Sequence, residues 1–134
     1  VGGQYNFVAM AHAIPNGRSI LLLRATRESA GQTLSTIVHQ YGHATIPRHL
    51  RDIVVTEYGS ADLRGQTDAE CVRRMLAITD ARFQDGLLAE VRAAGKIEHG
   101  FVIPDAWRAN RPEVLRERLK PAIDAGQVAA FPFG

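Results

Sequence analysis

Cysteine is nearly absent, with Cys71 the single one in 134 residues. One thiol cannot close an internal disulfide and cannot by itself build a zinc site, so a disulfide-framed domain is excluded and a reducing compartment fits. A domain of this length needs neither device, since folding buries roughly two thirds of its unfolded-chain surface. Long apolar runs are missing too. The longest, Phe7 to Ala11, is broken by His12, far short of the roughly 20 residues that cross a bilayer. No basic segment precedes an apolar one, as a secretory signal would require. The reading is a chain without membrane attachment, placed in the cytoplasm. Aromatic residues make up 7%, too sparse for a base-stacking platform, and no basic cluster is dense enough for nucleic acid.

What is present is ordinary globular composition, 46% hydrophobic and 22% charged, which sets aside disorder and low complexity. The length fits one unit, residues 1–134, with no Gly/Ser-rich linker inside it. The first residue is Val1, not methionine, so the expectation is a piece of a longer protein or a processed product. Charge is uneven. Residues 1–66 hold six arginines against four acids, whereas residues 67–134 balance ten bases with ten acids. The second half reads as solvated, mixed-sign helices. Arginine supplies 14 of the 16 basic residues, so bidentate contact with phosphate or carboxylate is available to the first half, as are plain surface arginines.

Phe7, Val8, Met10 and Ala11 fit a short helix that ends before the turn cluster Pro15-Asn16-Gly17. Ser19 to Leu23 has the pattern of a strand buried on both faces, as in a parallel sheet covered by helices. Arg24 to Gln32 reads as loop, Thr33 to Val38 as a second strand and Gly42 to Ile46 as a weaker third. Ile53-Val54-Val55-Thr56 is the best strand in the chain and stops at Glu57-Tyr58-Gly59. Thr67-Asp68-Ala69-Glu70 has capping-box spacing, so a helix through Cys71, Met75 and Leu76 should follow. Asp80 can cap another through Phe83, Leu87, Leu88 and Val91, ended by Gly95. Pro104 and Asp105 open a short segment around Trp107, Pro112 suits the first turn of a last helix, and Pro121 should kink or stop it. The Phe131-Pro132-Phe133-Gly134 tail reads as an extended end that docks. Strands gather in the first half and helices in the second, which gives an α/β fold with a mostly parallel sheet and a helical C-terminal half.

Few residues invite chemistry on local grounds. His39 and His43 lie four apart, but Gly42 weakens a helix there and no glutamate stands between them, so a zinc-protease motif is absent and no metal is expected. Cys71 lies on an apolar helical side and reads as a packed thiol. Gly2-Gly3-Gln4 before a helix is either a plain turn or a loop whose backbone amides donate to an anion or developing oxyanion. Glu57 follows the best strand, so its carboxylate emerges at the strand's C-terminal end, where open α/β sheets place ligands. An exposed loop acid is the alternative.

Together, Gly2-Gly3-Gln4-Tyr5-Asn6-Phe7, Pro47-Arg48 and Val54-Val55-Thr56-Glu57-Tyr58-Gly59 through Ala61-Asp62-Leu63-Arg64-Gly65 resemble the C-terminal domain of the acetyl-CoA hydrolase/transferase family. The resemblance spans roughly residues 1 to 92. It implies a class I CoA-transferase-like fold and activity on acyl-CoA and a small carboxylate, with coenzyme A as substrate. In that family a glutamate attacks the thioester carbonyl, and the resulting acyl-glutamyl anhydride is converted by CoA thiolate into a glutamyl-CoA thioester. This divides one transfer into easier steps. By motif match Gly3 inherits the backbone amide offered to the thioester oxygen, Gly2 the close approach beside it, and Gln4 the neighbouring position. Glu57 matches the glutamate of the family's Thr-Glu-Tyr-Gly motif, read as an accessory acid. The attacking glutamate of the family lies upstream of the glycine loop, so the resemblance implies a missing N-terminal domain as partner, an inactive isolated piece, and room for a homo-oligomer. Two other classes stay open: a CoA-binding module without catalysis, and a protein-interaction module.

Overall fold

The computed structural model describes residues 3–128, so Gly2 and the Phe131-Pro132-Phe133-Gly134 tail lie outside the described residues. The first helix, α1 (Gln4–Ala13), ends before a turn in which Asn16 takes a positive φ of 62° and the Gly17 amide donates to Ile14 O at 2.9 Å. Gly17 is required there by space: a Cβ would stand 2.0 Å from Ala11 O. The chain then forms β1 (Ile20–Leu22), β2 (Thr26–Ser29), β3 (Gln32–Ser35), β4 (Ile53–Thr56) and β5 (Gly59–Asp62).

The fold is mixed α/β, and the sheet differs from the mostly parallel one expected. Strand β1 pairs parallel with β4, β4 pairs antiparallel with β5, and β2 with β3 forms a separate antiparallel hairpin. Arg24 to Gln32, read as loop, instead supplies β2 and the two-residue turn Ala30-Gly31, both at positive φ (49° and 74°). That backbone matches the twist of a tight hairpin. Residues 42–46, expected as a weak strand, carry none. Gly59-Ser60-Ala61-Asp62 lacks strand-favouring side chains, yet pairing with β4 makes it β5. Nor is β1 buried on both faces: Ile20 is 54% and Leu22 77% exposed. With Phe7 and Met10 of α1, also exposed, they leave apolar surface uncovered among the described residues.

The helical half follows local chemistry closely. Helix α2 (Asp68–Ala77) starts at Thr67, whose hydroxyl accepts from the Glu70 amide at 3.2 Å, and α3 (Ala81–Ala93) starts at Asp80, which accepts from the Arg82 amide at 3.0 Å. Gly95, at φ 64°, ends α3 with the two bonds of a Schellman closure, its own amide to Arg92 O and that of Lys96 to Val91 O. Trp107 sits in a single 3-10 turn, Asp105–Ala109. Pro112 opens α4 (Pro112–Asp124). Pro121 does not stop that helix, which runs on to Asp124 and gives up only a bond of its final turn. Two apolar clusters form the interior, one around Leu76, Leu87 and Val91, the other around Val54, Leu63 and Cys71, with Ile37 packed against both.

Candidate functional site

Gly3 and Gln4 stand at the start of α1. Gly3 is the N-cap residue, at φ −78°, and its carbonyl accepts the first helical bond from Phe7 N at 3.0 Å. Having no side chain, it leaves the amides that follow without a local cap, the arrangement in which a helix start donates to an anion. A Cβ on Gly3 would approach the Phe7 ring to 3.2 Å, so close packing, not positive φ, favours glycine here. Both Gly3 and Gln4 are exposed.

Glu57 occupies the turn between β4 and β5 and is exposed. Its neighbours hold that turn to the α2–α3 junction. On one side, the Thr56 hydroxyl donates to Ile78 O at 2.8 Å and accepts from the Tyr58 amide at 3.2 Å. On the other, Tyr58 OH donates to Asp80 Oδ2 at 3.0 Å. Asp80 is fully buried and takes a two-pronged contact from Arg82, Nε to Oδ1 and Nη2 to Oδ2, each at 2.9 Å. Burial pushes the Asp80 carboxyl up, but the Arg82 side chain, the Arg82 amide and the Tyr58 hydroxyl together hold it below the usual carboxylate range. Burial, and then the bond to Asp80, pushes the Tyr58 phenol well up, so it remains a donor. The carboxylate of Glu57 accepts from the Ala25 amide through Oε2 at 2.8 Å. Among the described residues Oε1 has no hydrogen-bond partner. Such a group is oriented by one oxygen and free to accept a proton or hydrogen bond at the other.

The segments that carry the two loci touch at the ends away from Gly3 and Glu57, and among the described residues no hydrogen bond or ion pair joins Gly3 or Gln4 to Glu57. His12, in the last turn of α1, places Nε2 3.2 Å from Leu50 O and 3.4 Å from Asp52 Oδ2, just before β4 begins. Gly3 lies one helix length from that contact, about 15 Å for ten residues at ~1.5 Å each. Glu57 lies one strand length from it, about 13 Å for four residues at ~3.3 Å each. Asp52 is itself buried and joins the starts of β1 and β4, accepting from the Ser19 amide at 2.9 Å while Ser19 Oγ accepts from the Asp52 amide at 3.1 Å.

Sequence reasoning did not find the partners of these groups. The Ala25 amide carries no side-chain signal, and Tyr58 reaches Asp80 across 22 positions. A second cluster also lay unread. Arg48 donates to Cys71 Sγ at 3.3 Å and pairs with Asp68 at 2.9 Å. His39 and His43 stand in irregular backbone. No group of three or more potential metal ligands occurs among the described residues, and no helix among them is long and apolar enough to cross a membrane.

Comparison with known proteins gives this geometry a context. The acetyl-CoA hydrolase/transferase C-terminal domain matches residues 1–91, a stretch that contains both Gly3 and Glu57. A probable butyrate:acetyl-CoA coenzyme A-transferase of Syntrophomonas wolfei is 34% identical over 94 residues, covering 68% of this chain and 21% of its own length. A 4-hydroxybutyrate coenzyme A transferase of Clostridium kluyveri is 32% identical over 93 residues, covering 69% and 22%. The crystal structure of RipA from Yersinia pestis superposes with a TM-score of 0.64 at 31% identity, over 71% of this chain and 22% of that one. The chain thus spans about a fifth of the length of these relatives. By the match over residues 1–91, the chain belongs to the acetyl-CoA hydrolase/transferase family, in the part that forms its C-terminal domain.

Proposed function

We propose that this chain is the C-terminal portion of an acyl-CoA hydrolase or CoA-transferase acting on the thioester of a small carboxylic acid. In this reading the amides at Gly3 and Gln4, with Gly2 beside them, receive the thioester oxygen, and Glu57 serves as an accessory acid. The attacking carboxylate comes from the remaining four fifths of the length typical of the relatives. The observation that carries the reading is the family match across residues 1–91, which spans both loci. Uncapped amides at Gly3 suit a developing oxyanion, and the free Oε1 of Glu57 suits a proton-accepting or polarising role.

The test uses the full-length protein. Glu57→Gln preserves the acceptor for the Ala25 amide and removes the charge. Loss of acyl transfer by about 100-fold or more is the expected result for a positioned acid. Transfer at the unaltered rate would return Glu57 to a loop acid. The isolated 134-residue chain should turn over no acyl-CoA, and measurable turnover would contradict the assignment of the nucleophile to the rest of the protein. If the full-length protein binds CoA without turnover, the chain is a binding module. Absence of CoA binding by calorimetry would leave a protein-interaction role.

A further inference from the structure

The apolar interior is divided. Between its two clusters lies a partly open cavity of about 350 Å³, within the range of small-molecule sites. Val54 of β4, Leu63, Cys71 and Val72 of α2, and Leu87 and Val91 of α3 supply its wall. The rim is different in kind: Arg48, Arg51, Lys96 and His39 stand there with one acid, Asp68. Asp68 is shared, pairing with Arg48 at 2.9 Å and Lys96 at 3.3 Å. Arg51 donates twice to the Ile46 carbonyl, at 3.0 and 2.7 Å, which orients the guanidinium and leaves its charge unopposed by any carboxylate among the described residues. Three cations against one carboxylate give the rim a formal +2 with His39 neutral. An anionic head attached to an aliphatic chain complements both halves.

We propose that this cavity binds a straight-chain aliphatic carboxylate, its chain against Val54, Val72 and Leu87 and its head group at Arg48 and Arg51. A partly open cavity of about 350 Å³ falls in the size range of sites for small ligands, which an aliphatic chain of medium length can enter. Methylenes leaving water provide the attraction, and the two planar guanidiniums select a carboxylate over a neutral head. Glu57 is not part of the wall, so the inference stands whether or not that residue takes part in acyl transfer.

Cys71, the only thiol, lies in the wall at 7% exposure and reports occupancy. Sodium octanoate is titrated into the 134-residue chain by calorimetry, and the rate at which Cys71 reacts with a disulfide reagent is followed in parallel. Octanoate should bind and slow the thiol reaction several-fold, and affinity should rise roughly fourfold per methylene from butyrate to octanoate. Arg48→Gln should weaken octanoate by about tenfold or more while leaving 1-octanol unchanged. Val72→Phe, which narrows the cavity, should abolish binding of both with the thermal midpoint retained. Equal binding of octanoate and octanol would overturn the cationic head-group site. Octanoate binding unaltered by Val72→Phe, or no heat together with an unchanged Cys71 rate, would overturn the cavity as its location. If Val72→Phe does not fold, the Arg48→Gln and chain-length series decide.

Discussion

The Ala25 amide donates to Glu57 Oε2 at 2.8 Å, so the side chain just past β4 closes the backbone just past β1. Ala25 is completely buried, which makes this bond structural as well as orienting. Glu57→Gln retains an acceptor and should shift unfolding free energy by less than about 1 kcal/mol, whereas Glu57→Ala strands a buried donor and should lose about 1–3 kcal/mol. Urea unfolding of both variants measures the contrast. Equal losses would show that the bond to Ala25 does not bear on stability.

The same reasoning applies at the opposite end of the strands. Asp52→Ala leaves the buried Ser19 amide without its acceptor and removes the contact with His12. A loss of about 1–3 kcal/mol is expected. Amide exchange at Ser19 and Ile53, followed by NMR, should accelerate in this variant.

Asp80 joins a helix cap, a tyrosine and an arginine. Asp80→Ala removes a cap of about 1 kcal/mol and the Tyr58 bond, ~1.5 kcal/mol for a charged acceptor, so a loss of about 2–3 kcal/mol is expected. Tyr58→Phe should show about half of that. A Tyr58→Phe loss matching that of Asp80→Ala would put the whole effect in the tyrosine and none in the cap.

Acid should unfold the protein through these carboxylates. Asp80 is held low as described above, Glu98 chiefly by its bond from Arg73, and Asp85 chiefly by its bond from Arg108. Folded values below unfolded ones mean that the native state binds fewer protons, so their stabilisation is complete above the unfolded values near ~4. It is lost as pH falls from there through the folded values. Asp80→Asn should flatten the decline in the urea midpoint between pH 5 and pH 2. An identical slope in wild type and variant would exclude Asp80 as a contributor.

Leu22 points away from the apolar clusters at 77% exposure. Leu22→Ser in the 134-residue chain should change stability by no more than about 0.5 kcal/mol. A loss of ~2–5 kcal/mol, as for a buried leucine, would mean that the face is covered in solution. The same substitution in the full-length protein reads whether the rest of the protein packs there.

Local chemistry was legible where its partners are close in sequence. Thr67 with Glu70, Asp80 with Arg82, Pro112, and Gly95 each satisfy or end a helix within a few residues, so the helical half could be read directly. Strand β4 was equally plain, since Ile53-Val54-Val55-Thr56 suits no other local structure. The glycine start and the Thr56-Glu57-Tyr58-Gly59 run were visible as motifs, and the family that carries them matches residues 1–91.

Pairing lay beyond that reach. Gly59 to Asp62 becomes a strand only because β4 offers an edge, and Leu22 stays exposed because nothing among the described residues packs over it. The residues that orient Glu57, and those that gather at the rim near Arg48, come from elements 20 or more positions apart. Sequence by itself determined the family and the starts of α2, α3 and α4, because capping, periodicity and motif chemistry act over a few residues. Tertiary structure alone decided the mixed sheet, the partners of Glu57 and Asp80, and the cavity beside Cys71, because hydrogen bonds and apolar packing between distant segments form only when the chain closes on itself.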